Sequence, residues 1–215
     1  MSLTKRLTVP TAIALALSLA VASTAVAKPR KKAKKARPAA PAAPKADAKA
    51  LSKPIKRVIG AIRYGKDAIA LKQFDGASQS RFLLGAQAAK FSAEQKAQFI
   101  RDFHKLFAAL AFPRVKGDFQ KLETILYGNP RVSGKTAKIG ATIVILHPAK
   151  KQEIKTTFDL ALVGANWQIV DVTVKGDKSM LTNIRDEQIQ PLLKEGGPKH
   201  LLGLMSKRLA SLPKR

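Results

Sequence analysis

The sequence predicts an α+β domain: an antiparallel sheet of about four strands, covered by helices from both ends of the chain. Three observations lead there. Between residues 119 and 174, four segments alternate apolar and polar residues and are separated by short turn signals. On either side, apolar residues recur at helical spacing. The chain has no cysteine, so its stability rests on a packed core rather than on disulfides or thiolate-bound metal, and acylation on cysteine is excluded.

The first 27 residues read as a secretory signal. Lys5 and Arg6 are the positive start, Ala12 to Ala22 is the apolar centre, and Ala25-Val26-Ala27 is a small-x-small cleavage site. The apolar stretch falls short of the roughly 20 residues a membrane span needs. The alternative is an uncleaved interfacial anchor. Residues 28–50 are built from Lys, Ala and Pro and hold no bulky apolar side chain, so they read as a disordered linker.

The formal net charge is +26. After cleavage it would be +24, with +8 between Lys28 and Ala50 and +16 from Leu51 onward. Such an excess favours anionic partners: lipid headgroups, lipopolysaccharide, acidic protein faces or nucleic acid. Lys28 to Lys49 is either a solvated tether or an electrostatic attachment to an anionic membrane surface. No aromatic residue interrupts it, so bases have no stacking platform and no nucleic acid is expected there.

From Ser52 to about Gln73 a helix is predicted, with Ile55, Val58, Ile59 and Ile62 on its apolar face, ended by Asp75-Gly76. A second runs from Ser78 to Lys90, with Phe82 and Leu83 inward. Ser92-Ala93-Glu94-Gln95 fits a capping box that opens a third helix. Its stripe is Phe99, Phe103, Leu106, Phe107 and Leu110. Three phenylalanines on one face can wall a ligand cavity, although core packing is the commoner use of any one of them.

The strands are predicted at Phe119–Tyr127, Lys138–Leu146, Glu153–Val163 and Trp167–Val174. Gly128-Asn129-Pro130, Pro148-Ala149-Lys150 and Gly164-Ala165-Asn166 form the turns. Short connections make them antiparallel neighbours. Ile154, Phe158, Leu160 and Leu162 share one face of the third strand, and Lys155, Thr157 and Asp159 the other. In the fourth, alternation puts Val170, Val172 and Val174 on one face and Trp167, Ile169, Asp171 and Thr173 on the other. A further helix is capped at Asn183, and Gly196-Gly197-Pro198 separates it from a last one carrying Leu201, Leu204, Met205, Leu209 and Leu212.

Catalytic patterns are sparse. His104, His147 and His200 have no metal-type spacing, and His104 reads as a helix-surface residue. There is no Gly-rich phosphate loop and no serine-nucleophile motif. Asp171 is the one carboxylate in an otherwise apolar strand. It serves either as a base with a raised pKa or, more commonly, as a satisfied structural group.

Phe91-Ser92-Ala93-Glu94-Gln95 with Phe99 and Phe103, Trp167 to Val172 with Gly176, Ser179, Leu181 and Arg185, and then Gly196-Gly197 together resemble the MlaC family of periplasmic phospholipid carriers, the toluene-tolerance group. The resemblance covers about residues 51–212. It departs at Ile184, where the family has an aromatic residue, at Leu106 to Leu110, at Pro191 and in the Lys-rich linker. It implies an NTF2-like (cystatin-like) curved antiparallel sheet whose helices enclose an apolar cavity. It also implies one bound phospholipid, no catalysis and no cofactor. The implied partners are an inner-membrane ABC lipid transporter with its substrate-binding ring subunit, and an outer-membrane lipoprotein complex. Candidate cavity residues are Phe103, Phe107, Leu126, Ile143, Ile145, Phe158, Leu160, Leu162, Ile169, Met180, Leu181, Leu201 and Met205. The order of elements leaves two other classes open, an NTF2-like enzyme and a basic binding protein of the envelope.

Overall fold

The computed structural model describes residues 48–148 and 150–213. The expected signal sequence and all but the last three residues of the expected linker lie outside them. The fold is α+β. Helices α1 (Ala48–Arg63), α2 (Asp67–Leu71), α3 (Gly76–Leu84) and α4 (Ala93–Gln120) come first. Strands β1 (Leu122–Tyr127), β2 (Arg131–Ser133), β3 (Thr136–His147), β4 (Lys150–Val163) and β5 (Asn166–Val174) follow, and then α5 (Met180–Ile184) and α6 (Gln190–Ala210). No helix among the described residues is long and apolar enough to cross a membrane.

The single helix expected over 52–73 is two. Gly65 takes φ of +68°, open to glycine at little steric cost, and the chain turns there between α1 and α2. Asp75 does not close a helix but opens one: its carboxylate accepts from Ser78 N–H at 3.1 Å as the cap of α3. A 3₁₀ turn, Gly85–Lys90, leads on to α4. The capping box there is formed as expected. Ser92 Oγ accepts from Gln95 N–H (3.2 Å) and Gln95 Oε1 from Ser92 N–H (3.0 Å).

Helix α4 outruns its prediction. It passes through Pro113 and takes in Phe119, which was expected to begin a strand. Proline removes one helical hydrogen bond. Phe112, Val115 and Phe119 all pack into the main core, and that burial holds the turns beyond it.

The sheet has one strand more than expected. Its order is β1-β3-β4-β5, all antiparallel, and the short β2 pairs with the start of β3. The inner face is continuous: Ala137, Ile139, Ala141, Ile143 and Ile145 of β3 lie beside Phe158 and Leu160 of β4 and Ile169 of β5, against Ile55, Ile59 and Ile62 of α1. The outer face carries Lys138 and Asp159, paired at 2.7 Å, and Lys151 with Glu123 at 2.8 Å.

Strict alternation fails in β5. Asp159 faces Asp171 but Leu160 faces Ile169, so Val170 is an inserted bulge residue. The bulge places Ile169 and Val172 on the same, inner face, where alternation had set them apart. Backbone of the α2–α3 connection pairs with the outer edge of β5 at this point. Ile169 N–H donates to Gln73 O (2.8 Å), and Asp75 N–H to Ile169 O (2.9 Å).

Asp171, beside the bulge, is buried and is a structural group. Its carboxylate accepts from the backbone N–H of Val172 (2.8 Å) and of Leu181 (3.0 Å). Burial pushes its pKa up, against the pull of hydrogen bonds from Ser179, Leu181 and Val172. It ties α5 to the sheet. That helix is capped by Ser179, whose Oγ accepts from Thr182 N–H, four residues before the expected Asn183. A π turn, Arg185–Ile189, joins α5 to α6. Pro191 lacks a donor, and the wider turn just before it absorbs the break. Beyond it the helix kinks at Gly197 (φ 66°, ψ −163°), where the glycine pair was expected to separate two helices.

Asp171→Ala is expected to cost about 2 kcal/mol of stability, because it leaves two N–H groups without an acceptor. Asp171→Asn keeps an acceptor oxygen and should cost less than half as much. Urea unfolding of both variants checks this, and equal losses would contradict the assignment.

Candidate functional site

An aromatic ladder runs along α4. Phe99 stacks on Phe103 (centroids 6.1 Å apart), and Phe103 on Phe107 (6.0 Å). Phe107 meets Phe112 and Phe74 edge-on at 5.5 and 5.7 Å. Spacing of four residues puts successive rings one above another on a helix. At its start Phe99 meets Phe91 edge-on at 6.4 Å, and at its end Phe107 packs against the sheet core.

The candidate cavity residues therefore fall into groups. Phe107, Ile143, Ile145, Phe158, Leu160 and Ile169 belong to one cluster between sheet and helices, and Phe103 joins it by stacking on Phe107. Leu201, Met205 and Leu181 are buried outside that cluster. Leu162, across from Trp167, and Met180 are half-buried. Leu126 is misplaced. It pairs with Thr142 on the outer face, one residue out of step with the inward Ile125, and is 57 % exposed. Phe82 is also outward, contrary to expectation. The Arg185 guanidinium lies over its ring, 4.6 Å from the centroid.

A pocket of about 490 Å³ opens at the end of the sheet where β2, the start of β3 and the β5 bulge meet α3. Its volume falls within the roughly 300–1,000 Å³ of ligand sites. Val132, Ala137, Leu160, Ala161 and Val170 supply apolar wall, and Arg131, Lys138 and Asp159 the charged groups. Of the candidate cavity residues chosen from the sequence, Leu160 alone lines it. Arg131, Val132 and Val170 were missed. The Ser133-Gly134 dipeptide before β3 signals a turn, but a three-residue strand and a bulge leave no periodicity to read.

The α3 side of the pocket is set by a relay. Gln79, almost fully buried, donates from Nε2 to Val170 O (3.0 Å) and accepts at Oε1 from His104 Nε2 (2.9 Å). Gly76 lets α3 approach: a Cβ there would lie 2.8 Å from Ile100 Cγ2 and 2.9 Å from His104 Cε1. His104 is thus half-buried and not the surface residue its helix position suggested. Burial lowers its pKa, so it is held neutral as a donor. The other two histidines lie elsewhere. His147 pairs with Gln152 (2.9 Å), and His200 Nε2 lies 3.8 Å from Glu195. Among the described residues, no group of three or more His, Cys, Asp or Glu side chains could hold a metal ion.

The family model of the MlaC protein matches residues 53–207. The chain belongs to the MlaC family. Among solved structures it is similar to a phospholipid-binding protein from Ralstonia solanacearum, determined in complex with a phospholipid. That match has a TM-score of 0.64 and 16 % identity, and covers 79 % of this chain and 100 % of the other. At that identity the likeness establishes the fold. A weaker match, a protein of unknown function from Mycobacterium tuberculosis, has a TM-score of 0.30 and 9 % identity over 77 % of this chain and 89 % of that one. No curated protein matches.

The buried neutral His104 predicts a pH dependence. The unfolded chain binds a proton near the ordinary imidazole value of about 6.5, and the folded chain only at lower pH. The stability that follows is full above about pH 6.5 and is lost as the pH falls from there through the depressed folded value. His104→Gln should flatten that part of the profile in thermal melts between pH 5 and 7.5. A wild-type loss that persists in the variant would assign it to other groups.

Proposed function

We propose that this protein is a periplasmic phospholipid carrier that moves lipid between membrane complexes. The observation that carries the reading is an apolar-walled pocket, with Arg131 among its lining residues, that shares Ala137 and Leu160 with the apolar inner face of the sheet. Membership of the MlaC family supports it, as does the likeness to a protein solved with phospholipid. In water each exposed methylene costs about 0.8 kcal/mol, so a carrier must cover both acyl chains. On this reading the chains enter past Val132 and Leu160. They lie along the inner face, with Phe158, Ile143 and the Phe103–Phe107 ladder as walls, and the phosphate rests at Arg131.

The N-terminal signal pattern and the family together support export to the periplasm. The partners on this reading are an inner-membrane ABC lipid transporter with its ring subunit and an outer-membrane lipoprotein complex. The bonds around Asp171 speak against an enzyme built on it. Its carboxylate is engaged by backbone N–H groups, and the three histidines lie beside Gln79, Gln152 and Glu195.

The purified mature protein should carry phospholipid when examined by native mass spectrometry, and the delipidated protein should take it up from vesicles. Phe158→Asp should abolish uptake while keeping the far-ultraviolet circular dichroism, since an unpaired charge repels acyl chains. Should that variant unfold, Leu160→Gln gives the same reading at lower cost to the core. Bare wild-type protein with no uptake would overturn the proposal.

A further inference from the structure

One corner of the molecule, away from the pocket, combines charge with exposed apolar side chains. It is formed by the turn between α1 and α2 and the C-terminal end of α4. Arg63 Nη2 donates to Gln120 O at 3.4 Å. Lys116 Nζ comes within 3.5 Å of where a Cβ on Gly65 would lie. The two segments are therefore in contact, and along them the chain carries Arg63, Lys66, Arg114, Lys116 and Lys121, with Asp67 and Asp118 as the carboxylates. On the same turn and the helix after it, Tyr64 is 71 % exposed and Ile69 47 % exposed. The Arg63 guanidinium lies 5.8 Å from the Tyr64 ring centroid. The corner continues onto the sheet. Leu146, 48 % exposed, donates its N–H to Lys121 O at 3.0 Å. The pocket lies at the other end of β3, around Ala137 and Lys138.

A tyrosine at a chain reversal, flanked by lysines and arginine, is the composition of a membrane-interface anchor. The ring sits at headgroup depth while the cations meet lipid phosphates. Tyr64 and Ile69 are outward on a turn and a short helix, not walls of a groove. That shape fits a plane better than it fits an inserted peptide. We infer that this corner docks the protein on an anionic lipid bilayer, with Lys66 and Lys116 meeting the headgroups and Tyr64 entering the interface. The site is separate from the pocket and does not depend on what the pocket binds.

The test is flotation of the full mature chain with phosphatidylcholine vesicles containing or lacking phosphatidylglycerol. Each neutralised cation at an anionic surface should lower partitioning about fivefold. Lys66→Gln/Lys116→Gln should therefore bind the anionic vesicles about 25-fold more weakly. Lys155→Gln/Lys175→Gln changes net charge equally on the outer face of β4 and the end of β5, and should lose about threefold or less. Tyr64→Ser should weaken the same binding with no change in charge. Circular dichroism checks that all variants are folded. An equal loss in the two lysine pairs, or full binding by Lys66→Gln/Lys116→Gln, would overturn the inference. In either case the corner would be left to another partner, such as an acidic protein face.

Discussion

Everything in this fold hangs on the outer edge of β5 and the bulge within it. A sheet with one apolar face needs helices to cover it, yet apolar burial is non-directional and does not say where the helices sit. Directional bonds at β5 do. Ile169 pairs through both its N–H and its C=O with the α2–α3 connection, Val170 O receives Gln79, and Asp171 receives the start of α5. Three consecutive residues thus fix the helices on both sides of the chain. An edge strand that would otherwise present unpaired groups is covered at the same place.

The same bonds shape the pocket. The bulge frees Val170 from the ladder and turns its carbonyl toward α3, and Gln79 and His104 hold that arrangement from below. The relay is built from neutral groups, so the Val170 side of the pocket carries no charge of its own. The charged groups stay at Arg131 and at the Lys138–Asp159 pair. Pocket and basic corner lie at opposite ends of β3, so one end can hold a ligand while the other touches a surface.

Much of this was legible in the sequence, and for stated reasons. The capping box at Ser92, the Phe99–Phe103–Phe107 stripe and the inward set of β4 each express a local rule, and the structure keeps all three. Where the reading failed, a non-local term had overridden the local one. Packing of Phe112 and Phe119 carries α4 past Pro113. The contact with Arg185 holds Phe82 at the surface. The bulge reverses the faces assigned in β5 beyond Ile169, and β2 is too short to show a period. Leu126 was misassigned because periodicity alone gives two faces and not their direction. The residues around the pocket come from five elements, joined only by tertiary structure.

The central claim is that acyl chains lie on the inner face of the sheet. Photo-crosslinking tests it most directly. A benzophenone amino acid is placed at inward Phe158 or Leu160, or at outward Leu126 or Val163, and the protein is loaded with radiolabelled phospholipid and irradiated. The account predicts labelled protein for the inward pair and background for the outward pair. Labelling of the outward pair, or equal labelling at all four, would contradict it.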